Sequence, residues 1–280
     1  MKQQYLLTAG GLILLATLFF FGKIETQKSN FPHNEPAAAI FNIDANIKQA
    51  KQKLTPSQLI YVSNLENGIS RGDIKQQGQK QYTSLASFWR DSAQVFEPYA
   101  WYLSQSAKLD NSEKNLTFAA RLIFEAMRKE DDVLKKTWEA GIAADLFEGA
   151  LKLDPSNDDL KIGLGSCYVY GKGMIGDAAE TMKGVQQLLQ VVRKDSANMK
   201  AQLVLGIGGV ISRQYDKAIE RLNKVVKAEP GNMEAVSWLA DAYAATGNKA
   251  DAVKWYEYSK RMVNNPAFSK EVDERIKGLN

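Results

Sequence analysis

The sequence predicts an all-α protein, with an N-terminal membrane-crossing helix followed by an α-solenoid of helical hairpins. Three observations carry that reading. An uncharged apolar run, Tyr5 to Gly22, opens the chain. Helical periodicity then continues to the end without giving way to strand-like alternation. Finally, the C-terminal part repeats itself at a fixed spacing, from Ala201 to Ala235 and from Ala218 to Ala252, which is the signature of stacked hairpins.

The apolar run lies between Lys2 and Lys23. As a helix it is ~27 Å long, enough to cross the hydrocarbon core of a bilayer. It ends Phe19-Phe20-Phe21-Gly22-Lys23, which lacks the small-residue pattern of a cleavage site, and no lipid-accepting cysteine is present. The reading is an uncleaved anchor, weighed against a cleaved signal peptide and a buried core helix. Positive charges are nearly balanced across it, so orientation rests on the short N-terminal tail. This places the chain as a single-pass protein of the cell (inner) membrane, with its bulk on the periplasmic or extracytoplasmic side.

Residues 23–42 hold Lys, Gln, Ser and Asn with two prolines and three alanines, the composition of a spacer. Helices are then predicted over 43–53, 56–69, 78–95, 98–109, 115–129, 133–153, 158–171, 177–194, 199–212, 215–228, 233–246, 249–263 and 268–278. Thr55-Pro56 and Glu97-Pro98 fit helix starts, with proline in the first turn. The organisation that follows is an anchor (1–22), a linker (23–42), a helical region of diverged hairpins (43–110), repeats (111–266) and a charged C-terminal helix (267–280). The last helix serves as the polar cap that a stack needs.

Within the repeats, one constant shift lays Ala201 on Ala235, Leu205 on Leu239, Gly206 on Ala240, Ala218 on Ala252 and Leu222 on Tyr256. The small residues let paired helices approach, and the larger ones fill the space beside them. Junctions recur as Asp154-Pro-Ser-Asn157, Asp195-Ser-Ala-Asn198 and Glu229-Pro-Gly-Asn232. This pattern resembles the tetratricopeptide repeat, whose period is the same. Ala240, Tyr243, Ala252, Tyr256 and Ser259 match it in the last unit, and Gly206, Ala218, Leu222, Val225 and Pro230 in the one before. Gly209 stands where a large residue is usual, and Asn264 where proline is usual. The unit from 158 is longer than the others, with Gly171-Lys172-Gly173-Met174-Ile175-Gly176-Asp177 in its joining region. No strand precedes these glycines and no Gly-Lys-Ser/Thr follows, so they read as a longer loop.

The resemblance implies a groove, lined by outward positions of each first helix, that takes a protein or peptide partner. Those positions are Asp159, Ile162, Ser166, Lys200, Leu203, Ile207, Glu234, Ser237 and Asp241. They lack the Lys, Asn and Arg set with which some family members grip a C-terminal carboxylate. One anchor plus a repeat domain resembles bacterial accessory proteins of export, envelope assembly and cytochrome maturation.

Composition narrows the alternatives. The only histidine, His33, lies in the linker, and the only cysteine, Cys167, in an apolar run that reads as core. Histidine-based hydrolysis, zinc centres and disulfide frameworks are thereby disfavoured. A net charge of +4 without a basic stripe argues against nucleic acid. Acidic runs such as Glu130-Asp131-Asp132 and Asp158-Asp159 fit helix ends. The expectation is a non-catalytic, membrane-anchored scaffold that uses no cofactor, no metal and no evident small-molecule substrate. A structural spacer or oligomerisation module is the first alternative, and an enzyme the second.

Overall fold

The computed structural model describes residues 40–71, 75–173 and 178–279. The expected anchor at 5–22, most of the linker and His33 lie outside them. Among the described residues no helix is long and apolar enough to cross a membrane, and no strand occurs.

Thirteen α-helices are described: α1 (Ile43–Lys51), α2 (Pro56–Arg71), α3 (Lys75–Asp91), α4 (Phe96–Asp110), α5 (Glu113–Met127), α6 (Val133–Leu153), α7 (Asp158–Ser166), α8 (Ala178–Lys194), α9 (Met199–Ile211), α10 (Tyr215–Ala228), α11 (Met233–Ala245), α12 (Lys249–Val263) and α13 (Pro266–Lys277). The prediction found every one, with ends displaced by a few residues. It missed the π-helix from Cys167 to Lys172 that continues α7. Part of the segment expected to be loop is therefore helical, and one wide turn absorbs some of the unit's extra length.

The recurring junctions have a local cause. Asn157, Asn198 and Asn232 each accept a hydrogen bond from the backbone N–H three residues on, at 3.2, 3.0 and 3.0 Å. Each thus caps the first helix of a unit, satisfying a donor that the helix itself cannot. The turn inside a unit is local too. Gly247 has φ +74°, and Arg213, one repeat earlier, takes φ +60°. Only glycine adopts that region without strain.

Helices α5 to α12 form four hairpins, α5/α6, α7/α8, α9/α10 and α11/α12. First helices pack on first helices along the series α5, α7, α9, α11. The second helices α6, α8, α10 and α12 scarcely meet one another. The core is correspondingly divided into clusters. One gathers Leu116, Ile123, Leu146, Phe147, Leu160 and Cys167, a second Leu188, Val191, Val204 and Ile207, and a third Leu222, Val225, Val236 and Leu239. Cys167 is fully buried, as its apolar run predicts. The small residues do what their spacing implies. A Cβ on Gly206 would stand 2.7 Å from Leu222 Cγ, and one on Gly165 would stand 2.6 Å from Leu188 Cγ. Gly209, the position that departs from the family pattern, lies against Ala218, so the gap is closed by approach of the backbones.

Residues 43–110 have a core of their own around Val62, Leu85 and Trp89, with Phe96, Trp101 and Leu103 shared with the next cluster. Here α3 and α4 form an antiparallel pair, but α4 reaches both α5 and α6, a contact pattern unlike that of the repeats. At the other end α13 covers Ala240, Ala252 and Tyr256 with Val272, which is buried in its turn. The opposite face of α13 is charged, and Arg275 bonds Glu271 at 2.9 Å.

Candidate partner-binding surface

The stacking of first helices brings the predicted positions into rows. Asp159, Lys200 and Glu234 form one row, Ile162, Leu203 and Ser237 the next, and Ser166, Ile207 and Asp241 the third, on α7, α9 and α11.

Burial divides these rows. Ile207 is wholly buried, Ile162 is 8% exposed and Ser166 4% exposed. Ser166 donates its hydroxyl to the Ile162 carbonyl at 2.7 Å, a bond internal to the helix. These three do not line an open groove, and the expectation is corrected. The cause is the close approach of neighbouring first helices. Gly208 on α9 faces Val169 of the π-helix, where an added Cβ would stand 3.4 Å away. Ile162, Val169, Ala201 and Ile207 consequently share one cluster.

Two of the acidic positions are accessible in part but already engaged. Glu234 Oε2 accepts from Arg128 Nη2 at 2.9 Å, linking residues that stand at the end of α5 and the start of α11. The same guanidinium lies 4.8 Å from the centre of the Tyr170 ring, which meets Phe124 edge-on at 6.2 Å. Burial, reinforced by the Glu234 carboxylate, pushes the Tyr170 phenol well above its usual range. The π-helix thus places an aromatic ring among α5, α7 and α11. Asp241 Oδ1 accepts from the Tyr256 hydroxyl at 2.5 Å and from Arg275 Nη1 at 3.0 Å, so it fastens the cap.

Four predicted positions remain available. Asp159 and Lys200 are exposed, neither with an ion-pair partner among the described residues, and Leu203 and Ser237 are half-buried. Together with the Arg128–Glu234 pair they make a small surface with one apolar side chain, opposite charges at its two exposed positions and a neutralised bridge. Arg128 and Tyr170 were not among the predicted positions. No local signal marks them, because their partner Glu234 lies far along the chain from both.

Among the described residues no group of three or more His, Cys, Asp or Glu side chains could hold a metal ion. One buried carboxyl stands apart from the surface. Glu139 on α6 is 1% exposed, and its Oε2 has no hydrogen-bond partner. Burial, with Glu130 and Glu97 nearby, pushes it up to about 8, against the weaker pull of Lys135 and Lys136.

Comparison with known proteins bears on residues 212–265, which match the tetratricopeptide repeat family model. None of the curated proteins matches the chain. Among solved structures, the MamA protein is 18% identical, covering 68% of this chain and 93% of that one, with a TM-score of 0.46. YrrB, described as a TPR protein with an unusual peptide-binding site, is 18% identical over 69% of this chain and 91% of that one, with a TM-score of 0.45. A tetratricopeptide repeat protein from Parabacteroides merdae ATCC 43184 is 14% identical over 82% and 86%, with a TM-score of 0.42. These likenesses are partial, and no residue role transfers from them. Over residues 212–265, which hold α10 and the α11/α12 hairpin with their small-residue crossings and capped junction, the chain thus matches the model of the tetratricopeptide repeat, the family that the sequence resembles.

Proposed function

We propose that the protein is a membrane-tethered scaffold that holds a partner protein or peptide on the face formed by its first helices. The observation that carries this reading is Lys200, without an ion-pair partner among the described residues, beside the half-buried Leu203 and Ser237, on helices whose stacking aligns equivalent positions. Such a face offers an extended or helical segment an apolar contact and a place for a carboxylate. Interfaces concentrate their energy in few residues, so this small surface is enough to test. The membrane tether rests on the apolar run from Tyr5 to Gly22, and a role in envelope assembly or export rests on resemblance of layout alone.

The test is copurification from detergent-solubilised membranes, comparing the full chain with Lys200→Glu combined with Ser237→Arg. Both side chains stand outside the buried core, so the fold should persist by circular dichroism. Loss of a specific partner supports the reading. Retention of every partner by the folded double variant overturns it. Ile207→Asp is unsuitable for this test, because a carboxylate in that cluster unfolds the stack before binding is read.

A further inference from the structure

The second helices scarcely meet, and the last such gap is lined unlike a gap left by chance. Between α10 and α12 lies a cleft of about 390 Å³. Its apolar wall is built by Val226, Pro230, Trp255 and Tyr258. Trp255 and Tyr258 meet edge-to-face with ring centroids 5.7 Å apart. The Tyr258 hydroxyl donates to the Pro230 carbonyl at 3.2 Å, which ties α12 to the turn after α10 and sets the width of the cleft.

The rim is cationic. Lys227, Lys254 and Arg261 line it, no carboxylate does, and none of the three has an ion-pair partner among the described residues. Lys254 lies 5.6 Å from the centre of the Trp255 ring, and Arg261 lies 5.8 Å from that of Tyr258. The rings hold these cations at the mouth without neutralising them.

The repeat itself does not require this composition. One repeat earlier, Trp255 corresponds to Arg221, Tyr258 to Lys224 and Lys254 to Glu220. There Lys224 and Glu220 form an ordinary surface ion pair at 2.7 Å, and Arg221 donates to Gln202 at 2.7 Å. The same helix position folds with charged, mutually satisfied side chains. A cation recurs at one position, Lys227 answering to Arg261, but the aromatic pair and the Lys254 beside it are particular to the last repeat.

We propose that this cleft is a docking site for an acidic segment of a partner protein that carries one bulky apolar side chain. Charge complementarity selects the carboxylates, and the aromatic wall takes the apolar group. A protein segment fits better than an anionic bilayer. Trp255 and Tyr258 are half-buried between two helices, whereas a membrane-binding surface presents its aromatics outward to the acyl boundary.

The experiment uses the full chain in neutral detergent micelles and a fluorescein-labelled peptide of aspartates around a single phenylalanine. The same peptide with lysine in place of aspartate is the charge control, and phosphatidylglycerol vesicles are the lipid control. Fluorescence anisotropy should show binding of the acidic peptide that weakens with salt. Lys254→Glu combined with Arg261→Glu should reduce its affinity about tenfold or more. Trp255→Ala should do the same, while Lys48→Glu on α1, an exposed lysine outside both surfaces, should leave it unchanged. Circular dichroism checks that each variant folds, and the charge variants alter exposed side chains only. Equal binding by the folded double charge variant overturns the proposal. So does absence of binding at millimolar peptide, or equal binding of the lysine peptide. Capture of phosphatidylglycerol vesicles that the Lys254→Glu, Arg261→Glu variant loses, without peptide binding, assigns the cleft to lipid and overturns it as well. A loss confined to Lys200→Glu would place the acidic peptide on the first-helix face and overturn this assignment while leaving the proposed function standing.

Discussion

Glu139→Gln should stabilise the fold at neutral pH and leave it unchanged in mild acid. Glu139 is all but fully buried, and Oε2 has no hydrogen-bond partner. Its carboxyl is pushed from an ordinary 4.5 to about 8, first by burial and then by Glu130 and Glu97. The folded chain therefore keeps a proton that the unfolded chain releases above pH 4.5. The native state has its full stability below that pH and loses it as pH rises from 4.5 towards 8. Each pH unit in that window costs about 1.4 kcal/mol. By neutral pH the loss is at most about 3 kcal/mol, the pull of Lys135 and Lys136 being already contained in the shift to about 8. Glutamine has nearly the same shape and no charge to bury. For a domain of this size the gain corresponds to at most roughly 6–12 °C in melting temperature. The assay is thermal unfolding of the two chains, followed by helical circular dichroism across the window. Curves that converge near pH 4.5 and separate progressively above it bear the argument out. Parallel curves, or a variant less stable at neutral pH, would show that the carboxylate is hydrated or paired in solution and would refute it.

Arg213→Gly should raise stability by about 0.5–1 kcal/mol, because it removes a side chain from a left-handed backbone conformation that Gly247 occupies in the next repeat; urea unfolding reads this directly. Ala252→Leu should cost on the order of 1–3 kcal/mol, since Ala252 is wholly buried beside Tyr256 and Val272; an unchanged melting temperature would mean that the cap yields. A double-mutant cycle on Arg128→Ala and Glu234→Ala should give a coupling of about 0.5–1 kcal/mol, the range of partly exposed pairs, and one that shrinks with salt. The full chain should stay with membranes through an alkaline carbonate wash, whereas a chain beginning at Lys28 should not; release of the full chain would sink the tether.

Helix limits, caps and crossings were legible in the sequence because each is decided by a few neighbouring residues. The limits of α6, Val133–Leu153, are those expected, and Asp132 caps its start by accepting from the Leu134 and Lys135 N–H groups. Asn157, Asn198 and Asn232 announce their helices because a cap acts three residues ahead. Gly206 and Ala252 mark crossings because the same geometry recurs with every repeat, at Ala240 for the first and Ala218 for the second. Residue spacing likewise identified the rows that share the first-helix face.

Tertiary structure alone decided which members of those rows are accessible. Ile162, Ser166 and Ile207 satisfy the same spacing as Leu203 and Ser237, yet they are buried where the π-helix packs on α9. The pairing of Arg128 with Glu234 around Tyr170, and the cleft between α10 and α12, depend on how successive units turn relative to one another. That rotation sums small displacements at every helix interface. No local run of residues specifies the sum, so the sequence could name the hairpins and their caps, whereas burial and long-range pairing had to come from the assembled stack.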